Sequence, residues 1–199
     1  MKLELGKSQH FYEFLEGAKP GSVYVDVGAF DGEVLRFARQ HQPQLKCLAI
    51  EPQPYYANLL RQANVKVVQT GCSDRVGRYA FYRFDPPYQG CSTVDRLIAS
   101  NFDHRFTKEE IEVKRLDTIL TEEDITNVDF LKVDVEGHEE EVLQGFTLYH
   151  PGTRFHIEYH GGNLANILLQ LKEMNVEPIL TTLWRDNGNA KGLVLGVAT

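Results

Sequence analysis

The sequence has few cysteines and no pattern that would pair them. Cys47, Cys72 and Cys91 are its three cysteines, and they form neither a CxxC motif nor a zinc-ligand spacing. Cys47 and Cys72 stand in strand-like runs, where a buried and unreactive thiol is the usual occupant. We therefore expect a reduced, cytoplasmic protein.

Long apolar runs and an excess of positive charge are also missing. No segment approaches the roughly 20 apolar residues of a membrane-spanning helix, and residues 1–17 lack the apolar stretch of a signal peptide. The formal net charge is −7, whereas a nucleic-acid-binding protein usually carries a basic patch. The composition argues against nucleic-acid and membrane partners, and it leaves the oligomeric state open.

Strand-like and helix-like segments alternate along the chain. From Ser22 to Ser73, three β-branched runs are separated by two segments with amphipathic helical spacing. A further strand and helix follow in NVDFLKVDV and HEEEVLQGF, and two extended runs close the chain. This order predicts an α/β fold, with right-handed crossovers and a mostly parallel sheet flanked by helices.

The length predicts a single domain over residues 1–199, beginning with a helix inside residues 1–19. RVGRYAFYRF is predicted to be an extra strand in a hairpin-like pairing. Residues 85–110 then show no clear periodicity, although they include two adjacent prolines and three aromatic residues, Tyr88, Phe102 and Phe106. Long irregular segments are often functional lids or else disordered, so we expect this segment to form a lid over the substrate.

Glycines and acids mark the ends of the first strands. Gly28 and Gly32 in DVGAFDG could let backbone N–H groups approach a ligand, although a plain turn explains them as well. A dinucleotide fingerprint is not met, because Phe stands at position 30 and Glu at position 33. Glu51 ends the second strand, where doubly wound folds place an acid that binds ribose. With Asp26 and Asp74, it outlines an adenosine site at the carboxyl edge of the sheet.

Four blocks in the same order resemble the FkbM-type methyltransferases: YVDVGAFDG, AIEPQPYYANLL, GCSD with GRYAFYRF, and LKVDVEGHEEEVLQG. K-x-D-x-E-G-x-E in the last block is the most specific. The resemblance implies a Rossmann-like class I methyltransferase fold with seven strands in the order 3-2-1-4-5-7-6. It also implies S-adenosylmethionine as cofactor and methyl transfer to a hydroxyl group of a sugar or another small molecule.

The resemblance also assigns cofactor contacts. Gly28, Ala29 and Gly32 would lie close to the methionine end of S-adenosylmethionine. Glu51 would bind its ribose. Ser73 and Asp74 would contact its adenine. The full set of implied cofactor-binding residues is Asp26, Gly28, Ala29, Phe30, Gly32, Glu51, Pro52, Ser73, Asp74 and Asp134.

Asp134 ends a strand that should lie beside the first strand, at the point where the strand order reverses. Asp26 and Asp134 would then be close enough to repel each other unless a cation lies between them. Lys132, two residues before Asp134 on the same strand face, is the candidate.

A hydroxyl acceptor is a poor nucleophile while protonated, so a general base should assist. Asp134, Glu136 and His138 are the predicted catalytic residues, although a surface position for His138 is an equally open reading. The acids at 139–141 are expected only to complement the helix dipole.

A second polar group stands in HIEYH. Strand alternation places His156, Glu158 and His160 on one face, and we expect Glu158 and His160 to contact the acceptor. Two alternatives remain. The first is a metal-dependent enzyme that uses these three residues with Asp134, although we predict no metal site. The second is a non-catalytic module that binds S-adenosylmethionine.

Overall fold

The computed structural model describes residues 5–101, 106–186 and 189–199. Its strands are β1 (Val23–Val27), β2 (Lys46–Ile50), β3 (Lys66–Val68), β4 (Gly71–Ser73), β5 (Gly77–Phe84), β6 (Phe106–Arg115), β7 (Phe130–Val133), β8 (Arg154–His160), β9 (Val176–Asp186) and β10 (Asn189–Ala198). Its helices are α1 (Leu5–Phe14), α2 (Glu33–His41), α3 (Pro54–Gln62), α4 (Arg96–Asn101), α5 (Leu116–Glu122), α6 (Glu139–Gln144) and α7 (Leu164–Glu173).

Seven strands form the main sheet in the order β3-β2-β1-β7-β8-β10-β9. β1 pairs in parallel with β2 and β7, whereas β10 is antiparallel to both of its neighbours. Counted along the chain within this sheet, the order is 3-2-1-4-5-7-6, with the last-but-one strand antiparallel. The predicted α/β fold is therefore confirmed, including the contact between the first strand and the KVDV strand.

A smaller sheet, β4-β6-β5, corrects one sequence prediction. The third β-branched run, VKVVQTGCS, forms two strands in different sheets, because β3 pairs with β2 whereas β4 pairs with β6; the Thr70 hydroxyl between them donates to the Glu112 carbonyl. IEVKRLDTIL is extended up to Arg115, and the residues that follow bury one helical face in α5. β5 pairs antiparallel with β6, so the predicted extra strand is confirmed.

Apolar side chains cover both faces of the main sheet. Val25 and Leu131 face the layer that contains α5, α6 and α7. Tyr24 and Phe130 point to the opposite face, where Phe14 of α1 packs against both rings. α1 lies inside the predicted N-terminal segment. In the described part of the chain, no helix is long and apolar enough to cross a membrane.

The predicted lid segment contains ordered elements. Within 85–110 the chain forms a 3-10 turn at Gln89–Cys91, then α4 and the start of β6, while residues 102–105 lie outside the described residues. The backbone at Gly90 lies against the ring of Phe30. The Thr93 hydroxyl donates to the Glu136 carbonyl at 2.6 Å. The segment thus packs on the two loops that follow β1 and β7, and its role as a lid stays a prediction.

Candidate functional site

A cleft opens at the carboxyl ends of β1, β2 and β7. Gly28 and Glu51 line one part of its wall, Cys72 another, and Asp134 and Glu136 a third. Strand order reverses between β1 and β7, and ligands of open α/β sheets bind at such a switch point. The sheet therefore brings together side chains that stand more than 100 residues apart in the sequence.

The loop after β1 approaches the end of β7 too closely for a side chain. Gly28 has a φ of 79°, and a Cβ atom there would run into the carbonyl oxygen of Asp134. Phe30 also has a positive φ, of 46°, and its ring packs on Tyr56 with 4.1 Å between centroids. A non-glycine residue in this conformation is strained, and such strain concentrates at functional sites.

Glu51 is held by the loops on either side of it. Its Oε2 accepts a hydrogen bond from the Phe30 amide at 2.9 Å, and its Oε1 accepts one from the Gln53 amide at 2.8 Å. Burial raises the pKa of Glu51 to about 7, although these two hydrogen bonds oppose the shift. Each carboxylate oxygen keeps a further lone pair for a ligand hydroxyl.

Lys132 lies between two carboxylates, as the sequence predicted. Its Nζ is 3.3 Å from Asp26 Oδ1 and 3.3 Å from Asp134 Oδ2. Lys132 and Asp26 are buried, and the Tyr24 hydroxyl donates to the other Asp26 oxygen. Burial alone would lower the pKa of Lys132, but the charges of Asp134 and Asp26 raise it above its ordinary value. The lysine therefore stays charged and neutralises part of the cleft.

Glu136, His160 and Glu139 form a buried chain beside Asp134. His160 Nδ1 is hydrogen-bonded to Glu139 Oε1 at 3.0 Å, and His160 Nε2 lies 3.4 Å from Glu136 Oε2. Burial lowers the pKa of His160, but the bond to Glu139 and the charge of Glu136 outweigh it and raise the pKa to about 9. Burial raises the pKa of Glu136 to about 7 against the attraction of His160.

Glu139 does more than complement a helix dipole, so that interpretation is wrong for this residue. Its side chain is fully buried and also accepts hydrogen bonds from the Gly137 amide and from Asn163. No local pattern could have indicated this role, because His160 and Asn163 follow it by 21 and 24 residues. Glu140 instead accepts from Gln144, one turn along α6.

His138 points to a different part of the cleft. Its Nε2 is hydrogen-bonded to the buried Ser73 hydroxyl at 2.9 Å, and its Nδ1 lies 3.3 Å from Glu141. Ser73 in turn donates to Asp74. The predicted adenine residues Ser73 and Asp74 are thus adjacent to His138, whereas Asp134 and Glu136 cluster with His160. The catalytic role of His138 stays a prediction.

The predicted face of β8 is divided between two environments. His156 packs between Phe11 and Phe14, and burial lowers its pKa to about 3. Among the described residues, the group within metal-binding reach is Asp134, Glu136 and His160. The alternative metal set with His156 and Glu158 is therefore not the one assembled, because α1 covers His156 with apolar rings.

The remaining predicted cofactor residues lie along the same edge. Pro52 and Phe30 line the cleft, and Ala29 is buried with its amide directed at the Ile50 carbonyl. Gly32 has a φ of 76°, and a side chain there would run into Leu60. Of the predicted cofactor residues, Gly28, Phe30, Glu51, Pro52 and Asp134 line the cleft, and the contact of each with a cofactor stays a prediction.

The model of the methyltransferase FkbM domain matches residues 26–178. The chain belongs to this family. It is therefore a methyltransferase, and the matched region contains the cleft residues from Gly28 to Glu136 as well as Asp26 and His160.

Two curated relatives are also named as methyltransferases. The chain is 29% identical to the methyltransferase sdnD of Sordaria araneosa, covering 82% of this chain and 72% of that protein. It is 32% identical to the 31-O-demethyl-FK506 methyltransferase FkbM of Streptomyces tacrolimicus, covering 64% of this chain and 60% of that one. The matches thus leave more than a quarter of each relative without a counterpart here.

Solved structures share the fold. Precorrin-6y C5,15-methyltransferase of Geobacter metallireducens superposes with a TM-score of 0.59 and 12% identity, over 100% of this chain and 90% of that one. Geranyl diphosphate methyltransferase in complex with SAM gives 0.56 and 10%, over 99% and 86%. At these identities the likeness shows the fold alone.

Proposed function

We propose that the chain transfers a methyl group from S-adenosylmethionine to a hydroxyl group of a sugar or another small molecule. The cleft at the switch point carries this proposal, because it joins Glu51, Gly28 and Asp134 at the ends of three strands. The family match and the name of one relative, the 2-O-methyltransferase NoeI of Sinorhizobium fredii, 25% identical, support the choice of a hydroxyl acceptor.

The residues present fit such a cofactor. Glu51 could accept hydrogen bonds from ribose hydroxyls, and Gly28 lines the cleft without a side chain, so its backbone is accessible to a ligand. Asp134 offers negative charge to a sulfonium or ammonium group, which attracts it more strongly in a partly buried site. When bound, S-adenosylmethionine supplies the methyl group on a positively charged sulfur.

The chain must place the acceptor hydroxyl in line with the methyl group and remove its proton. An oxygen held about 3 Å from the methyl carbon gains most of the advantage of proximity. Glu136 faces the cleft with a pKa raised to about 7 by burial, which suits a general base at neutral pH. Asp134 and His138 stay the other predicted catalytic residues.

Calorimetric titration with S-adenosylhomocysteine tests the proposal. We expect micromolar binding that weakens at least tenfold in Glu51→Ala and is unchanged in Glu122→Gln, an exposed acid on α5. Absence of binding at high micromolar ligand, or a Glu51→Ala variant that binds as the wild type does, would refute it. A screen of labelled methyl transfer over glycans and small alcohols then identifies the acceptor.

A further inference from the structure

The loop after β7 and the end of β8 bring three potential metal ligands together. One oxygen each of Asp134 and Glu136 and one nitrogen of His160 lie within 4.8 Å of one another. A bound cation with bonds of about 2.1 Å would draw such atoms to about 3–4 Å apart. The observed spacing is close to this value, and the parallel pairing of β7 with β8 brings the loop after β7 beside the end of β8.

Glu136 provides an independent sign that this place can accept a further ligand. Its Oε2 atom is buried and accepts no hydrogen bond within the described residues. His160 Nε2 lies 3.4 Å away, in ion-pair range but without a hydrogen bond. A buried carboxylate oxygen without a donor costs free energy, so natural proteins usually satisfy it with a protein group, a water molecule or an ion.

His160 is oriented as a metal ligand would be. Its Nδ1 is fixed by the fully buried Glu139, and this bond directs Nε2 towards Glu136. Histidines that bind metals commonly form a hydrogen bond from their second ring nitrogen to a carboxylate in this way. Glu139 is held in turn by the Gly137 amide and by Asn163, so the whole arrangement is preorganised.

The local charge also favours a cation. Five carboxylates, those of Asp26, Asp134, Glu136, Glu139 and Glu158, share this region with the ammonium groups of Lys132 and Lys191 and with the imidazole of His160. Lys132 is engaged by Asp26 and Asp134 at the floor of the cleft. Among these groups the carboxylates therefore outnumber the cations by five to three even when His160 is protonated.

We propose that Asp134, Glu136 and His160 form a binding site for a divalent cation of the Mg²⁺ and Mn²⁺ class. Two carboxylate oxygens and one imidazole nitrogen suit such an ion and leave coordination positions open. The site lines the cleft, so an acceptor hydroxyl can occupy one of these positions.

The role of the ion rests on the proposed function, whereas its binding does not. With the ion bound, Glu136 serves as a ligand and not as the general base. Coordination makes the acceptor hydroxyl more acidic, and its proton passes to a water molecule. The oxygen then attacks the methyl carbon; the C–O bond forms as the C–S bond breaks, and the electron pair stays on sulfur to give S-adenosylhomocysteine.

Titration with Mn²⁺, followed by electron paramagnetic resonance of the free ion, tests the site without any acceptor. We expect one Mn²⁺ per chain in the wild type and at least tenfold weaker binding in Glu136→Gln and His160→Ala. Glu140→Gln, on the same helical turn as Glu139, and His150→Ala should bind as the wild type does. In protein with ¹⁵N-labelled histidine, pulsed measurements should show a nitrogen coupling that His160→Ala abolishes.

No Mn²⁺ binding at millimolar concentration, unchanged affinity in Glu136→Gln, or a nitrogen coupling that survives in His160→Ala would each overturn the proposal. Should His160→Ala not fold, Glu136→Gln decides the question, since it keeps the shape of the side chain. S-adenosylhomocysteine binding is measured separately on the same samples. Its absence refutes the proposed function, whereas its presence without Mn²⁺ binding refutes the metal site alone.

Discussion

Asp26 on β1 and Lys132 on β7 are direct cross-strand neighbours and form a buried ion pair at 3.3 Å. The same ammonium group reaches Asp134, which lies at the mouth of the cleft. The pair therefore connects the interior of the sheet to the site. Lys132 thereby helps to hold the Asp134 carboxylate in place at the cleft.

Replacing Lys132 by Met should destabilise the protein strongly. Removing one partner of a buried pair leaves an uncompensated charge, which costs about 3–5 kcal/mol. Urea unfolding of Lys132→Met measures this loss. The double variant Lys132→Met/Asp26→Asn should recover a large part of it, because the stranded carboxylate is gone. Losses that simply add in the double variant would contradict the ion pair's importance.

Replacing Gly28 by Ala should cost more than backbone strain alone. Gly17 has almost the same φ, 78° against 79°, but open space where a Cβ would stand. Gly17→Ala therefore measures the strain, about 1–2 kcal/mol for a left-handed residue. Gly28→Ala adds the collision with the Asp134 carbonyl. We expect a clearly larger drop in the free energy of unfolding and loss of S-adenosylhomocysteine binding; equal effects of the two substitutions would be inconsistent with the close approach.

His156 should make the protein less stable in acid. Burial lowers its pKa to about 3 in the folded chain, so below pH 6.5 the unfolded state binds the proton that the folded state refuses. Stability is then lost as pH falls, by about 1.4 kcal/mol per pH unit from this group between pH 6.5 and 3. Between pH 7 and pH 5, chemical unfolding of His156→Leu should show a loss about 2 kcal/mol smaller than the wild type. An identical loss would contradict a neutral, buried His156.

Two adjacent glutamates on α6 should differ sharply in importance. Glu139→Ala leaves the Gly137 amide, His160 and Asn163 without their acceptor, and hydrogen bonds to a charged group contribute about 1.5–3 kcal/mol each. Glu140→Ala removes partly exposed contacts and should cost below about 1 kcal/mol. Thermal and urea unfolding of both variants measure the difference. Similar stabilities would show that Glu139 only serves the start of the helix.

Local patterns predicted the fold well where each segment carried its own signal. The β-branched runs and helical faces placed β1, β2, β7 and the helices between them, and the resemblance supplied the strand order. The prediction of VKVVQTGCS as a single strand failed because its second half pairs with β6, and this contact, like the hydrogen bond from Thr70 to Glu112, joins distant segments. No periodicity within nine residues could reveal it.

The site was predictable as far as it follows strand ends and same-face spacing. Lys132 lies on β7 and Asp134 directly follows this strand, so their pairing could be inferred from the two-residue spacing. The burial of Glu139 depends on His160, which belongs to another strand. The separation of His156 from His160 depends on α1 covering one end of β8. Both facts come from packing across the fold and have no signature in the order of residues.

A crystal structure with S-adenosylhomocysteine would test the proposed cofactor site directly. We expect the ribose hydroxyls within hydrogen-bonding distance of the Glu51 carboxylate and the sulfur on the side of Gly28 and Asp134. A ligand bound outside this cleft, or one whose ribose does not contact Glu51, would contradict it.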